Sequence, residues 1–165
     1  MDDKSLSLLN VFEVEVEGAT HHMVCYLDPV LAGSRGIDSR SVIGEFTPDA
    51  QGEFDPRTFR INPEFIEAFV QYMNAESTGA TEAIAQARDQ PGGWLYLIDP
   101  RNPRRPEVET PPGDLVGCFA VDDTGQIVPN SFQYNQNHLW FDPVSGVSGL
   151  LYDRKFYDWL HPVRE

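Results

Sequence analysis

Val11-Phe12-Glu13-Val14-Glu15-Val16-Glu17 alternates apolar and acidic residues without a break. Successive side chains of a strand point to opposite faces. The pattern therefore puts Phe12, Val14 and Val16 on one face and Glu13, Glu15 and Glu17 on the other, as a half-buried strand requires. Gly18-Ala19 permits a tight reversal into His22-Met23-Val24-Cys25-Tyr26-Leu27, which stops at Asp28-Pro29. An antiparallel hairpin is expected here.

Working outward, residues 30–62 are rich in Gly, Pro, Ser and Asp and read as a long surface loop with one or two short strands, near Val42-Ile43 and near Phe59 and Ile61. Asn62-Pro63 is a helix start, Asn as cap and Pro at the first helical position. Phe65, Ile66, Phe69, Val70 and Met73 follow at helical spacing. An Ala-rich second helix is expected over residues 81–88.

Trp94-Leu95-Tyr96-Leu97-Ile98 is a continuous apolar run between Gly-Gly and Asp99-Pro100. It reads as a central strand covered on both faces. Residues 99–113 form a second Pro-rich surface loop, because proline has no amide to offer a ladder. Residues 115–121 and 126–128 around Asp122-Asp123-Thr124-Gly125 predict another hairpin. A polar loop then leads to a strand at His138-Leu139-Trp140-Phe141, and Asp153 caps a last helix carrying Phe156, Trp159 and Leu160. The pattern predicts one α+β domain over residues 1–165, with a mainly antiparallel sheet of about five to six strands packed with two to three helices.

The composition, 41% hydrophobic and 12% aromatic, is that of a folded chain. Its net charge of −14 repels phosphate backbones and anionic lipid heads, so neither nucleic acid nor membrane is an expected partner. The acidity lies early: 17 acids and 6 bases up to Asp99, against 9 and 6 after it. The acidic start Met1-Asp2-Asp3 is unlike an export signal, no apolar run reaches the ~20 residues of a membrane span, and two cysteines are no disulfide framework; the expected setting is cytoplasmic.

The search for chemistry is mostly negative. His21 and Cys25 share a strand face and, with Cys118 or His138, would give metal-ligand types, but neither cysteine has a partner at ligand spacing. No metal or cofactor is expected. Cys118 with His138 as base has the residue types of a thiol nucleophile, yet Cys118 sits in an apolar strand where a thiol is core filling. Residues 49–55 fail the calcium-loop spacing, and Asp122-Asp123-Thr124-Gly125 lacks the second copy an aspartic dyad needs. Gly92-Gly93 precedes a strand, whereas phosphate-cradling glycines follow one.

Three features remain as binding candidates. Glu13, Glu15 and Glu17 form an acidic row. Arg101, Arg104 and Arg105 form a basic cluster suited to a carboxylate or phosphate, or to the protein's own acids. The run Asn130-Ser131-Phe132-Gln133-Tyr134-Asn135-Gln136-Asn137-His138 mixes amides and aromatics as adaptable binding surfaces do, or satisfies its own backbone. The expectation is a protein-binding module, of an acidic inhibitor, immunity-like or adaptor type, for a partner with a basic surface. The alternative is a small enzyme or ligand binder using Asp99, Arg101, Tyr134 or His138 near the central strand.

Overall fold

The computed structural model describes residues 8–76, 88–89, 92–103 and 109–163. The Ala-rich helix expected over residues 81–88 lies outside them except for Arg88, as do Arg104 and Arg105. Among the described residues the architecture is mixed α+β, with three helices and three separate antiparallel sheets of four, three and two strands. The single sheet of five to six strands is thus replaced by smaller ones. The described residues fall into two compact units, residues 8–68 with 150–163, and residues 69–149.

The first unit is built on the predicted hairpin. Strands β1 (Leu9–Val16) and β2 (Ala19–Tyr26) pair in register from Leu9 opposite Tyr26 to Val16 opposite Ala19. Strands β3 (Val42–Phe46) and β4 (Arg60–Ile61) extend the sheet in the order β1-β2-β3-β4. Residues 30–62 are more structured than expected. Asp28 accepts the Val30 amide at 2.7 Å and caps helix α1 (Pro29–Arg35), with Pro29 at its first position. Asp28-Pro29 is thus a helix start as well as the stop of β2.

The two faces of the sheet differ in what covers them. Tyr26 packs against Phe156 and Tyr157 of helix α3 (Arg154–Leu160), and its hydroxyl donates to the Asp153 carbonyl at 2.8 Å. Asp153 caps α3 by accepting the Lys155 amide, as predicted. On the opposite face, Leu31 and Ala32 of α1 pack on Cys25, Leu27 and Val42, with Phe12 and Met23 alongside. Helix α2 (Pro63–Glu76) is capped by Asn62, whose Oδ1 accepts the Glu64 amide and whose Nδ2 donates to the Ser39 and Val42 carbonyls.

The second unit contains strands β5 (Trp94–Ile98), β6 (Leu115–Ala120) and β7 (Gln133–Tyr134) in that order, and the small pair β8 (Phe141–Asp142) with β9 (Gly146–Val147). Here the expectation for β5 fails: it is an edge strand, with Leu95 1% exposed but Trp94 43% and Tyr96 58% exposed. Aromatic rings with polar tips tolerate water, so a run that counts as wholly apolar still carried a period of two. The strand expected at residues 138–141 is likewise displaced, starting only at Phe141. The core gathers Phe69 against Phe132, Tyr134 and Trp140. Gly117 lets β6 and β7 approach: a Cβ there would lie 2.2 Å from the Gln133 carbonyl oxygen.

The β1–β2 reversal sits one residue earlier than Gly18-Ala19. Glu17 (φ 52°) and Gly18 (φ 83°) are both left-handed, the condition of a type I′ hairpin turn, so Glu17 occupies a position that favours Asn or Gly. Glu17→Asn is predicted to raise, and Glu17→Val to lower, stability in urea unfolding by about 1 kcal/mol each.

Candidate functional site

Strand β5 ends in Asp99-Pro100-Arg101-Asn102, a tight turn in which the Asn102 amide donates to the Asp99 carbonyl at 2.9 Å. Pro100 supplies the fixed φ such a turn wants at its second position. The Asp99 side chain points inward and is 0% exposed. Its Oδ1 accepts the Arg101 amide at 3.1 Å and the Gly149 amide at 2.8 Å. Its Oδ2 accepts the Ser148 hydroxyl at 2.6 Å and pairs with His138 Nε2 at 2.8 Å.

From His138 the chain of bonds continues. Its Nδ1 lies 2.9 Å from the Tyr134 hydroxyl, which also accepts the Trp140 indole N–H at 2.8 Å. Indole can only donate, so the phenolic hydrogen is free to go to His138 Nδ1. The ring then carries its own hydrogen on Nε2 and donates it to Asp99. Every group is satisfied by a neutral imidazole and an ionised carboxylate; a doubly protonated ring would leave the Tyr134 hydrogen without an acceptor among the described residues.

Burial pushes the Asp99 carboxyl up, but His138, Ser148 and the Arg101 and Gly149 amides outweigh it and bring it down to about 2. Burial drives the Tyr134 phenol the other way, above its ordinary range. Asp, His and Tyr in series are the residue types of acid–base chemistry. Yet the side chains of both Asp99 and His138 are 0% exposed, and both imidazole nitrogens are taken. The arrangement is a sealed fastening of strand end, loop and β9 flank.

Arg101 belongs to the same fastening. Its side chain, 5% exposed, donates from Nε to Asp114 Oδ1 at 2.8 Å, and from its two terminal nitrogens to the carbonyls of Gly146 and Gly113. Asn102 fills Asp114 Oδ2 at 2.8 Å. Gly149 is required as well: a Cβ there would sit 2.7 Å from Pro100 Cβ.

The sequence-based binding residues are therefore scattered in role. Phe132 and His138 are buried at 6% and 5% exposure, and Arg101 is spent on Asp114, so these three do not form a surface. Tyr134 is half-buried in the hydrogen-bonded chain, and Asn135 donates to the Pro112 and Leu115 carbonyls and accepts the Asn137 amide. The amide-aromatic run satisfies its own backbone; Gln133 and Asn137 remain exposed. Glu13 and Glu15 are exposed on β1, and Glu17 at the turn. Asp99, Ser148 and Gly149 were not assembled from sequence as one site, because their separation of about fifty positions leaves no spacing signal.

Cys25 and Cys118 are free thiols; burial pushes Cys25 up to about 12 and raises Cys118 too, and His138 has no nitrogen left to act as base. His21 Nδ1 pairs with Glu45 at 3.3 Å. Among the described residues, no group of three or more His, Cys, Asp or Glu side chains is placed to hold a metal ion. Asp49 and Asp122 each use Oδ1 to accept amides two and four residues on, which accounts for both acidic motifs as turns. No protein-family model, curated protein or solved structure matches this chain.

Asp99→Asn is predicted to cost about 3–5 kcal/mol in urea unfolding, because an amide places an NH2 where two donors already point. The sign with pH follows from the lowered carboxyl. Stability from Asp99 is complete above its unfolded value near 4 and is lost as pH falls toward about 2. Stability measured from pH 5 to pH 2 should therefore fall more steeply in the native chain than in Asp99→Asn.

Proposed function

We propose that this chain is a cytoplasmic protein-binding module that receives a basic partner surface on its β1–β2 hairpin. One observation carries the reading. The described arginines of the first unit other than Arg35 each have a local carboxylate: Arg40 with Asp38, Arg57 with Asp55, Arg60 with Glu45 and Arg154 with Asp158. No Lys or Arg among the described residues pairs with Glu13, Glu15 or Glu17; Glu13 has only His22, at 3.8 Å. These four arginines are thus paired with other acids, and the hairpin glutamates keep their negative charge.

Exposed ion pairs contribute only about 0–1 kcal/mol each, so the glutamates select and steer a partner more than they hold it. Val11, 53% exposed on the face that carries Glu13 and Glu15, supplies an apolar contact for the complex. Two free cysteines fit a reducing compartment, and no helix among the described residues is long and apolar enough to cross a membrane. The enzyme alternative loses weight because Asp99, Arg101, Tyr134 and His138 are already engaged with one another and with backbone.

Immobilised native protein should retain, from extracts of its own cell at low salt, a basic protein that elutes as salt is raised. With that protein purified, Glu13→Gln/Glu15→Gln/Glu17→Gln should slow association roughly tenfold and flatten its salt dependence. Equal rates for the native and triple-variant proteins would refute the assignment to the hairpin.

A further inference from the structure

A second surface feature of the first unit has the opposite electrostatic character. Residues from the end of β2, from α1, from the following turn and from the end of α3 enclose a recess of about 140 Å³. Its apolar lining includes Leu27, Leu31, Leu160 and Pro162, and its polar lining includes Arg35, Asp38, Arg40 and His161. Leu27 and Leu160 are each 2% exposed, so the floor is part of the core. A volume of this size is comparable to the ~150 Å³ apolar cavity that accommodates benzene.

The local charge balance is unusual for so acidic a chain. Asp38 is the acid in the lining, and both of its oxygens are committed: Oδ1 to the Arg40 amide at 3.0 Å and Oδ2 to Arg40 Nη2 at 3.2 Å. Arg40 uses one of its five guanidinium hydrogens there. Arg35 likewise uses one, from Nη1 to the Pro162 carbonyl at 3.2 Å. Each fork keeps donors able to meet a carboxylate.

His161 is held firmly as a wall. Its Nε2 lies 2.8 Å from the Tyr26 carbonyl, which only accepts, so Nε2 bears hydrogen. Its Nδ1 makes no hydrogen bond among the described residues. Since no buried side-chain nitrogen or oxygen among them lacks a partner, Nδ1 is reached by solvent. The lining thus brings two arginine side chains together with three leucines, charged donors beside apolar carbon.

We infer that this recess binds a small aliphatic carboxylate, its carboxylate on Arg35 and Arg40 and its alkyl tail on Leu27, Leu31 and Leu160. The site takes Leu27 from the end of β2 remote from the turn at Glu17, and its lining carries two arginines against one aspartate. Its occupancy does not depend on the hairpin reading.

The test is an NMR titration of the full chain with isovalerate, following the His161 ring and the Leu31 and Leu160 methyls, with isovaleramide as neutral isostere. Isovalerate should give saturable shifts at these three residues, and the amide should bind at least about tenfold more weakly, the worth of one charge-assisted hydrogen bond. Arg35→Gln should weaken isovalerate about tenfold. Asp38→Asn, which keeps the turn's cap but removes the competing charge, should tighten it. The same spectra report whether each variant is folded, and Asp38→Asn stands as an independent arm if Arg35→Gln is not. Equal response to acid and amide, no tightening in Asp38→Asn, or no saturable shift into the millimolar range would overturn the proposal.

Discussion

A carboxylate removed from water costs several kcal/mol unless its oxygens are filled, and Asp99 is filled completely. Four donors reach it from three separate parts of the second unit: the Arg101 amide in its own turn, His138 from the loop after β7, and Ser148 with the Gly149 amide after β9. His138 in turn fixes Tyr134, and Tyr134 fixes the indole of Trp140, whose ring packs edge-on against Phe69 in the core. Polar satisfaction and aromatic packing are therefore one structure in this unit. A loop-rich fold with short strands needs such a fastening, because two-residue strands like β7, β8 and β9 contribute few ladder bonds of their own.

The same geometry commits residue types suited to acid–base chemistry to one another. Acid–base groups must exchange protons with a substrate, and here each proton position is already assigned to a neighbour. Surface electrostatics is where unassigned interactions remain. Arginines pair with acids a few positions away, as in Arg40 with Asp38 and Arg57 with Asp55, and among the described residues no Lys or Arg pairs with the hairpin glutamates. Arg35, bonded to a carbonyl rather than a carboxylate, is the counterpart on the positive side.

What could be read in the sequence was local. The alternation in residues 11–17, the caps at Asn62 and Asp153 and the turn at Asp122 depend on neighbours within a few positions, and the fold contains all four. Where tertiary partners decide, composition misled. Trp94 and Tyr96 count as apolar but face outward on an edge strand, and Phe132, His138 and Arg101 lie in polar-looking loops but turn inward. The turn at Glu17-Gly18 was missed by one residue because Glu is a poor occupant of a left-handed position, and only the strand register fixes it there. Asp28-Pro29 carried a helix start that the surrounding Gly, Ser and Asp obscured.

Asp99, His138, Tyr134 and Trp140 form a closed chain of hydrogen bonds with a single proton arrangement. A long-range proton–nitrogen spectrum of the His138 ring at neutral pH reads that arrangement directly. A neutral ring protonated at Nε2 is expected, with a ring hydrogen that exchanges slowly with water. A ring protonated at Nδ1 or at both nitrogens, or a hydrogen exchanging as fast as that of an exposed histidine, would contradict it.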